Sequence, residues 1–331
     1  MRKKKGQRSC GIGGQAVLEG VMMKNKDLYA VTVRKSDGEL VIDTEEYHGI
    51  WHGHKIKEIP FIRGVFNFLD SLILGSRILS YSANFLEEPE MKETASDRLM
   101  NKLFKDKAES IISGITIALS LVLAIAIFMI LPFYISSLFE KFVRSARLLA
   151  VFEGLIRLVI FLLYVTLISA MKDIKRVYMY HGAEHKCINC LEKGRPFTVK
   201  NVMRSSRLHT RCGTSFMLFV MFVSIILFMF IKVEGPVARV GIRVLLVPFI
   251  AGISYELIRF AGNHGNNFLV KILSAPGMWL QRMTTKEPTE DMVEVAMKSV
   301  EAVFDWKSYY LEEFGYEVTE EWLQDESDEE R

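Results

Sequence analysis

The sequence predicts a mainly α-helical membrane protein with about four transmembrane helices, a small β-rich N-terminal region and cytosolic amphipathic helices. Half of its 331 residues are hydrophobic, yet 24% are charged. The mean hydropathy is +0.19, which is high for a soluble domain, while the charged fraction is high for a pure membrane bundle. Long charge-free runs alternate with charged stretches. Lipid-embedded and water-exposed parts must therefore be separate segments of one chain.

Composition also excludes several classes of protein. A net charge of +3 gives no support to nucleic-acid binding, which requires a clear excess of basic residues. Four cysteines in a chain of this length do not form the disulfide framework of a small secreted domain. A reducing, cytosol-facing environment is the expectation.

Four stretches are long and apolar enough to cross a bilayer, which takes about 20 residues. Residues 111–139 and residues 213–231 contain no charged side chain. Residues 148–171 contain only Glu153 and Arg157, which stand one helical turn apart and can pair near one membrane interface. Residues 244–260 contain only Glu256 and Arg259. We predict a transmembrane helix in each stretch.

The distribution of basic residues predicts the orientation. Residues 172–212 contain ten Lys or Arg against three Asp or Glu, whereas the connections 140–147 and 232–243 contain three Lys or Arg each. The positive-inside rule places the 172–212 loop and both termini in the cytoplasm of a multi-pass inner (plasma) membrane protein. The basic start of the chain has no apolar segment after it, so we do not expect a cleaved signal peptide.

The remaining segments divide by pattern. Two alternating runs around the turn Ser36-Asp37-Gly38 predict a β-hairpin. Residues 60–82 predict an amphipathic helix on the membrane surface or on the bundle, because their charges recur every seven residues. Residues 268–283 and 289–303 predict two more amphipathic helices. The resulting regions are 1–58 (β-rich, cytosolic), 59–108 (amphipathic helical), 109–260 (transmembrane, with the cytosolic metal-site loop 172–212), 261–311 (cytosolic helical) and 312–331 (acidic tail with ten Asp or Glu).

The densest group of chemically active residues is the H-x-x-E-H motif formed by His181, Glu184 and His185. On a helix these positions share one face, so two imidazoles can hold one metal ion while the carboxylate reaches its water. This order is the inverzincin signature, in which the glutamate acts as general base. The alternative is two surface histidines on a polar helix.

A second pattern overlaps the first. Cys187 and Cys190 form C-x-x-C, and His209 and Cys212 form H-x-x-C further along. Two such pairs fit a closed structural zinc site. The spacing fits one metal site, two separate metal sites, or two sites that share His185.

Glu256 is an acidic residue near the end of the fourth predicted span. Such a residue is costly unless it is paired or binds a ligand. It can form an ion pair with Arg259, or it can be a third metal ligand or an orienting group at the cytosolic membrane face.

Six motifs run in order from about residue 10 to residue 300. They are GGQAVLEGVMM (13–23), PFIRG (60–64), YHGAEHK (180–186), RCGTS (211–215), GISYE (252–256) and PGMWLQR (276–282). Together they resemble the YqhQ-like family of bacterial membrane proteins of unknown function, sometimes predicted to be metal-dependent enzymes. The resemblance implies a site at His181, Glu184 and His185, with His209 or Cys212 as additional ligands. Cys187 and Cys190 fall where the family usually carries other residues, which disfavours the closed zinc site.

The function expected from these patterns is that of a zinc-dependent hydrolase at the cytosolic membrane face. His181 and His185 are the expected ligands, Glu184 is the expected base, and His209, Cys212 or Glu256 complete the metal site. The expected partner is the lipid bilayer. A non-enzymatic membrane scaffold with a structural metal, or with none, is the alternative. A small transporter is disfavoured because the predicted spans hold few polar residues away from their ends.

Overall fold

The computed structural model describes residues 8–50, 53–54, 56, 59–85, 108–231, 233, 235–263 and 268–319. The chain forms two compact units. The first, called here the sheet unit, comprises Met1–Leu86, Thr166–Phe219 and Ala251–Arg331. The second, called here the helical unit, comprises Glu87–Val165 and Val220–Ile250. The predicted mainly α-helical architecture with a small N-terminal sheet is confirmed.

The secondary structure of the described residues begins with strands and continues with helices. The strands are β1 (Ile12–Val17), β2 (Gly20–Asn25), β3 (Leu28–Arg34) and β4 (Leu40–Glu46). The helices are α1 (Ile62–Ala83), α2 (Ala108–Ile125), α3 (Leu131–Ser137), α4 (Ala146–Ile168), α5 (Lys172–Glu192), α6 (Val199–Arg204), α7 (Gly213–Phe230), α8 (Pro236–Asn263), α9 (Phe268–Thr284), α10 (Glu290–Val303) and α11 (Trp306–Phe314).

Several of these elements fall on stretches that the sequence pattern singled out. The amphipathic stretches 60–82, 268–283 and 289–303 form α1, α9 and α10, and the predicted 172–212 loop contains α5 and α6. Helix α11 extends into the predicted acidic tail, of which residues 320–331 lie outside the described residues. Residues 1–7 of the β-rich region and 86–107 of the amphipathic region also lie outside them.

The sheet is antiparallel with its strands in chain order. Strands β3 and β4 form the predicted hairpin, with Val31 opposite Asp43. In their connection Gly38 has a φ of 91°, a left-handed conformation that glycine adopts without strain. The Asp37 carboxylate accepts a hydrogen bond from the backbone N–H of Glu39 at 2.9 Å, which supports the turn.

Both faces of the sheet are covered. Successive side chains of a strand point to opposite faces, so Val21 and Met23 reach one core while Met22 reaches the other. The first core contains α5 and α10, and the second contains Leu74 and Ile78 of α1. Helix α5, which carries the predicted site, is thus fixed on the sheet.

Within the described part of the chain, four helical stretches are long and apolar enough to cross a membrane. They are Gly114–Ser137, Arg147–Ile168, Gly213–Phe230 and Val240–Ala261, and they coincide with the four predicted spans to within a few residues. The first is interrupted by a π-helical segment, Ala126–Ile130, between α2 and α3. A π-helical turn changes the hydrogen-bond ladder and leaves carbonyl groups available to side chains.

A buried ion-pair cluster lies in the helical unit. The Glu153 carboxylate accepts a hydrogen bond from Arg157 at 3.1 Å, the predicted pair, and a second guanidinium, that of Arg243, binds it from α8 at 2.7 Å. All three side chains are at least nine-tenths buried. Arg157 also donates to the carbonyl of Phe128, in the π-helical segment, at 2.8 Å. The ring of Phe228 lies near both guanidinium groups.

We expect Glu153→Gln to destabilise the helical unit. Removing one partner of a buried ion pair leaves uncompensated charge and typically costs about 3–5 kcal/mol. Thermal unfolding of the purified protein in detergent measures the effect. The control is Glu140→Gln, at an exposed position of the same unit. Equal melting temperatures for the two variants would show that the cluster contributes little to stability.

Candidate metal centre

Helix α5 carries three chemically active side chains on one face. His181, Glu184 and His185 occupy positions i, i+3 and i+4 of this helix, so the predicted motif does form a single surface. The centroids of the two imidazole rings are 4.4 Å apart. Glu184 and His185 are buried, and His181 is half-buried.

Backbone carbonyl groups fix the orientation of both imidazoles. Nδ1 of His181 lies 2.9 Å from the carbonyl oxygen of Thr284, and Nδ1 of His185 lies 2.7 Å from that of Arg207. Because a carbonyl oxygen only accepts hydrogen bonds, each Nδ1 carries the proton and each Nε2 keeps a lone pair. Metal-binding histidines are commonly oriented in this way.

Cys212 brings a sulfur atom to the two imidazoles. Its Sγ lies 3.3 Å from Nε2 of His181, and the ligand atoms of His181, His185 and Cys212 all lie within 4.8 Å of one another. Zinc bond lengths imply separations of roughly 3.3–3.7 Å between the ligands of a tetrahedral site. Among the described residues, no other group of three such side chains is this close. The three residues form a possible metal-binding cluster, called here the His/His/Cys cluster.

The position of Cys212 favours a metal-binding sulfur. It immediately precedes helix α7, whose first amide groups have no partner within the helix. The backbone N–H of Thr214 points to Sγ at 3.4 Å, and the Thr214 hydroxyl lies 3.1 Å from it. Hydrogen-bond donors of this kind stabilise a thiolate ligand.

The Glu184 carboxyl group lies against strand β1. A Cβ atom on Gly14 would be 2.7 Å from Cγ and 2.9 Å from Oε1 of Glu184, so only glycine leaves room for it. Burial raises the pKa of Glu184, and the nearby His181 and His209 act in the opposite direction. Burial also lowers the pKa of His185, which favours the neutral imidazole that binds metals.

Polar side chains of α5 hold the end of α6 and the loop that leads from it to Cys212. Lys186 donates hydrogen bonds to the carbonyl oxygens of Met203 and Ser205 at 2.7 and 3.0 Å. The side-chain amide of Asn189 donates to two further carbonyls of this loop, also at 2.7 and 3.0 Å. One helix therefore supplies two side chains of the His/His/Cys cluster and positions the segment that carries the third.

A close backbone approach brings the Thr284 carbonyl to His181. The backbone N–H of Lys286 donates to the carbonyl of Tyr178 on α5 at 2.8 Å. A Cβ atom on Gly182 would lie only 2.0 Å from the Lys286 carbonyl oxygen. The absence of a side chain at Gly182 is what permits this contact.

The predicted ligand His209 lies beside the His/His/Cys cluster and not in it. Its ring centroid is 5.8 Å from that of His185, and its Nε2 lies 3.2 Å from a carboxylate oxygen of Glu192. Burial lowers the pKa of His209 to about 4, so the neutral ring donates its Nε2 proton to Glu192. The same carboxylate accepts hydrogen bonds from Arg211 and from the backbone N–H of Cys10.

The predicted ligand Glu256 is not brought to the His/His/Cys cluster. Its carboxylate accepts hydrogen bonds from Nε of Arg63 at 2.6 Å and from the backbone N–H of Phe61 at 3.2 Å. The ion pair suggested by the sequence was with Arg259, on the same helix. Helix α1 packs against this end of α8 and supplies the guanidinium instead.

The alternative site made from Cys187, Cys190, His209 and Cys212 is not assembled. Cys187 lies two residues after His185 and so points to another face of α5. It is buried in the core, and burial raises its pKa well above the usual range. Sγ of Cys190 lies 3.6 Å from the carbonyl oxygen of Pro196. Both thiols are core groups.

Several groups that shape the site were not identified from the sequence. Thr284 and Arg207 act through backbone carbonyls, for which a side-chain pattern holds no signal. The side chain of Gln281 exchanges hydrogen bonds with the backbone of His209, at 2.9 and 2.8 Å, and donates to Ser215 at 3.2 Å. Gln281 could have been singled out from the sequence, because it lies in the PGMWLQR motif.

These features define a class: a helical protein with four candidate membrane spans and a possible His/His/Cys metal-binding cluster. The chain belongs to the family described as proteins of unknown function (DUF1385), whose model matches residues 59–306. It is also similar to the uncharacterized protein YqhQ of Bacillus subtilis (strain 168), with 33% identity over 294 residues that cover 87% of this chain and 90% of that protein. The predicted family resemblance is confirmed. No solved structure matches the chain significantly.

We expect Gly182→Ala to destabilise the sheet unit and to weaken metal binding at the His/His/Cys cluster. The added methyl group meets backbone, which cannot move without breaking the Lys286–Tyr178 and Thr284–His181 contacts, and overpacking of this kind typically costs about 1–3 kcal/mol. Thermal unfolding with and without added zinc measures both effects. Gly13→Ala is the control, because its Cβ atom meets nothing within 4 Å. Identical behaviour of the two variants would contradict this account of Gly182.

Proposed function

We propose that this protein is a membrane-embedded, zinc-dependent hydrolase whose metal is held by His181, His185 and Cys212, with Glu184 as general base. The observation that carries the proposal is the convergence of one ligand atom each from His181, His185 and Cys212, all within 4.8 Å of one another. His209 and Glu256 are left out of the ligand set, because their side chains are engaged with Glu192 and Arg63.

The donor set fits zinc. Two neutral imidazoles and a thiolate are borderline-soft donors, for which zinc has a strong preference over magnesium or calcium. Structural zinc sites use four protein ligands, whereas catalytic sites use three and keep one position open. The described residues supply three ligands here, which supports a catalytic site.

The side chains around the cluster suit hydrolysis. Zinc with an open position supplies a Lewis acid. In the proposal Glu184, on the same helical face as both histidines, accepts a proton from an attacking water, and Gly14 leaves its carboxyl group the room it occupies. Burial of Glu184 and His185 restricts bulk water, which strengthens electrostatic interactions in the site.

The location favours a membrane-proximal substrate, either a peptide or a lipid headgroup. Ends of three candidate spans, at Ile168, Gly213 and Ala261, fall in the sheet unit that contains the cluster. The basic residues of the 172–212 region favour the cytoplasmic side of a bacterial plasma membrane. The bilayer is the proposed partner, and nucleic acid is not.

A structural metal site in a membrane scaffold is the second candidate. It is favoured by one observation: the cluster and its hydrogen bonds tie α5 to the loop before α7 and to the end of α9. The two candidates differ in whether an outside ligand can reach the metal.

Cobalt substitution separates them without knowledge of the substrate. We expect the purified full-length protein to bind one equivalent of Co²⁺ with a sulfur-to-cobalt charge-transfer band, and we expect a hydroxamate to change the visible spectrum by binding at the open position. His181→Ala, His185→Ala and Cys212→Ala should each lose the bound metal, whereas the neighbouring variant His209→Ala, outside the cluster, should retain it.

Three results would contradict the proposal. A bound metal that is insensitive to hydroxamate would indicate a structural site. Full metal occupancy in the Cys212 variant would place the metal elsewhere. A metal-free protein in which Cys212 reacts readily with iodoacetamide would point to thiol chemistry at the Cys212–His181 pair.

The role of Glu184 has its own test. On any ester or amide that the zinc-loaded protein hydrolyses in a panel of lipid and peptide substrates, we expect Glu184→Gln to lower the rate by about 10²–10⁴-fold, the usual contribution of a general base. Metal content should be unchanged. Gly14→Ala should also lower the rate, because its methyl group displaces the carboxyl group, while Gly13→Ala should not. Full activity of Glu184→Gln would exclude it as the base.

A further inference from the structure

Helix α1 exposes an apolar stripe. Its side chains Ile62, Leu69, Leu72, Ile73 and Leu79 are each 39–51% exposed. The opposite side of the helix, with Leu74 and Ile78, packs on the sheet. Soluble proteins rarely expose a continuous apolar surface of this length unless it binds something.

The charged side chains of α1 are all engaged by other parts of the sheet unit. Arg63 pairs with Glu256, and Arg77 pairs with Glu45 at 2.7 Å. The Asp70 carboxylate accepts a hydrogen bond from the backbone N–H of residue 50 at 2.6 Å. The stripe is therefore flanked by charges that are already compensated, which reduces the cost of placing this helix at a membrane.

Helix α1 is attached to two of the candidate spans. A Cβ atom on its Gly64 would lie 3.0 Å from Cα of Gly252 in α8. The rings of Phe68 and Phe216, the latter in α7, have centroids 5.5 Å apart. Gly252 and Phe216 both lie within the stretches that are apolar enough to cross a membrane, so α1 packs against the apolar part of both helices.

Helix α9 has the same character. Phe268, Ile272 and Trp279 are 74%, 56% and 51% exposed, and their spacing places them on one helical face. Its Gly277 packs directly on Ser215 of α7, next to the residue that α1 contacts. The opposite face carries Gln281, and Thr284 at its end provides the carbonyl that orients His181.

We infer that α1 and α9 lie in the plane of the membrane interface, with their apolar stripes in the acyl-chain region of one leaflet. The lipid bilayer is the occupant of this surface, because α1 packs on Gly252 and Phe216 and α9 packs on Ser215, all within stretches that are apolar enough to cross a membrane. Amphipathic helices bind membrane interfaces in this way. Since α9 also carries Gln281 and the Thr284 carbonyl, this contact holds the His/His/Cys cluster at the bilayer surface whether or not the site is catalytic.

Tryptophan fluorescence tests the inference directly. The full-length protein is reconstituted into phosphatidylcholine vesicles with and without bromine on the acyl chains, which quenches only tryptophans in contact with them. A variant that retains Trp279 as its sole tryptophan should lose most of its emission in brominated vesicles. A variant that retains only Trp306, which is 7% exposed in the core of the sheet unit, should lose little.

Further variants test α1 and provide a measurement that does not depend on replacing Trp306. Leu72→Trp with no other tryptophan should be quenched like the Trp279 variant. If replacement of Trp306 prevents folding, the single change Trp279→Phe in the native chain should remove most of the bromine-dependent quenching.

Quenching of Trp279 by aqueous acrylamide and not by bromine would overturn the inference, because the stripe then faces water. Protection from both quenchers would also overturn it, because protein then covers the stripe.

Discussion

Two hydrogen bonds from imidazole N–H groups to backbone carbonyls determine the geometry of the whole candidate site. They fix the tautomers of His181 and His185 and leave a lone pair on each Nε2. Sγ of Cys212 lies 3.3 Å from Nε2 of His181. The two acceptors, at Thr284 and Arg207, come from chain segments far from α5 in sequence. The site therefore exists only if α9, the loop before α7, and α5 are all in place.

The sequence features around the site follow from this requirement. Gly182 is needed because the segment after α9 must approach the backbone of α5. Lys186 and Asn189 hold the loop that presents the Arg207 carbonyl and leads to Cys212. Gly14 gives space to the Glu184 carboxyl group. Motifs that are distant in the sequence therefore meet at the candidate site. They lie on strand β1, on helix α5, in the loop before α7 and on helix α9.

Much of the fold was predictable from local pattern. Charge-free runs predicted the four candidate spans, alternation predicted the β3–β4 hairpin, and seven-residue spacing of charges predicted α1. At the site, the helical spacing of His181, Glu184 and His185 predicted a shared face. Which of the three further candidates, His209, Cys212 or Glu256, lies beside them was not predictable, because it depends on contacts between distant segments. The side chains of His209 and Glu256 contact Glu192 and Arg63, whereas Cys212 lies beside the two histidines. The Glu153 pair was predicted, whereas Arg243 arrives from a different helix.

X-ray absorption spectroscopy of the zinc-loaded, full-length protein tests the proposed binding of one metal ion by two imidazole nitrogens and one sulfur. We expect one sulfur at about 2.3 Å and two imidazole nitrogens at about 2.0–2.1 Å, with one further light atom at the open position. A coordination shell without sulfur, or with two or more sulfur atoms, would contradict the assignment of His181, His185 and Cys212.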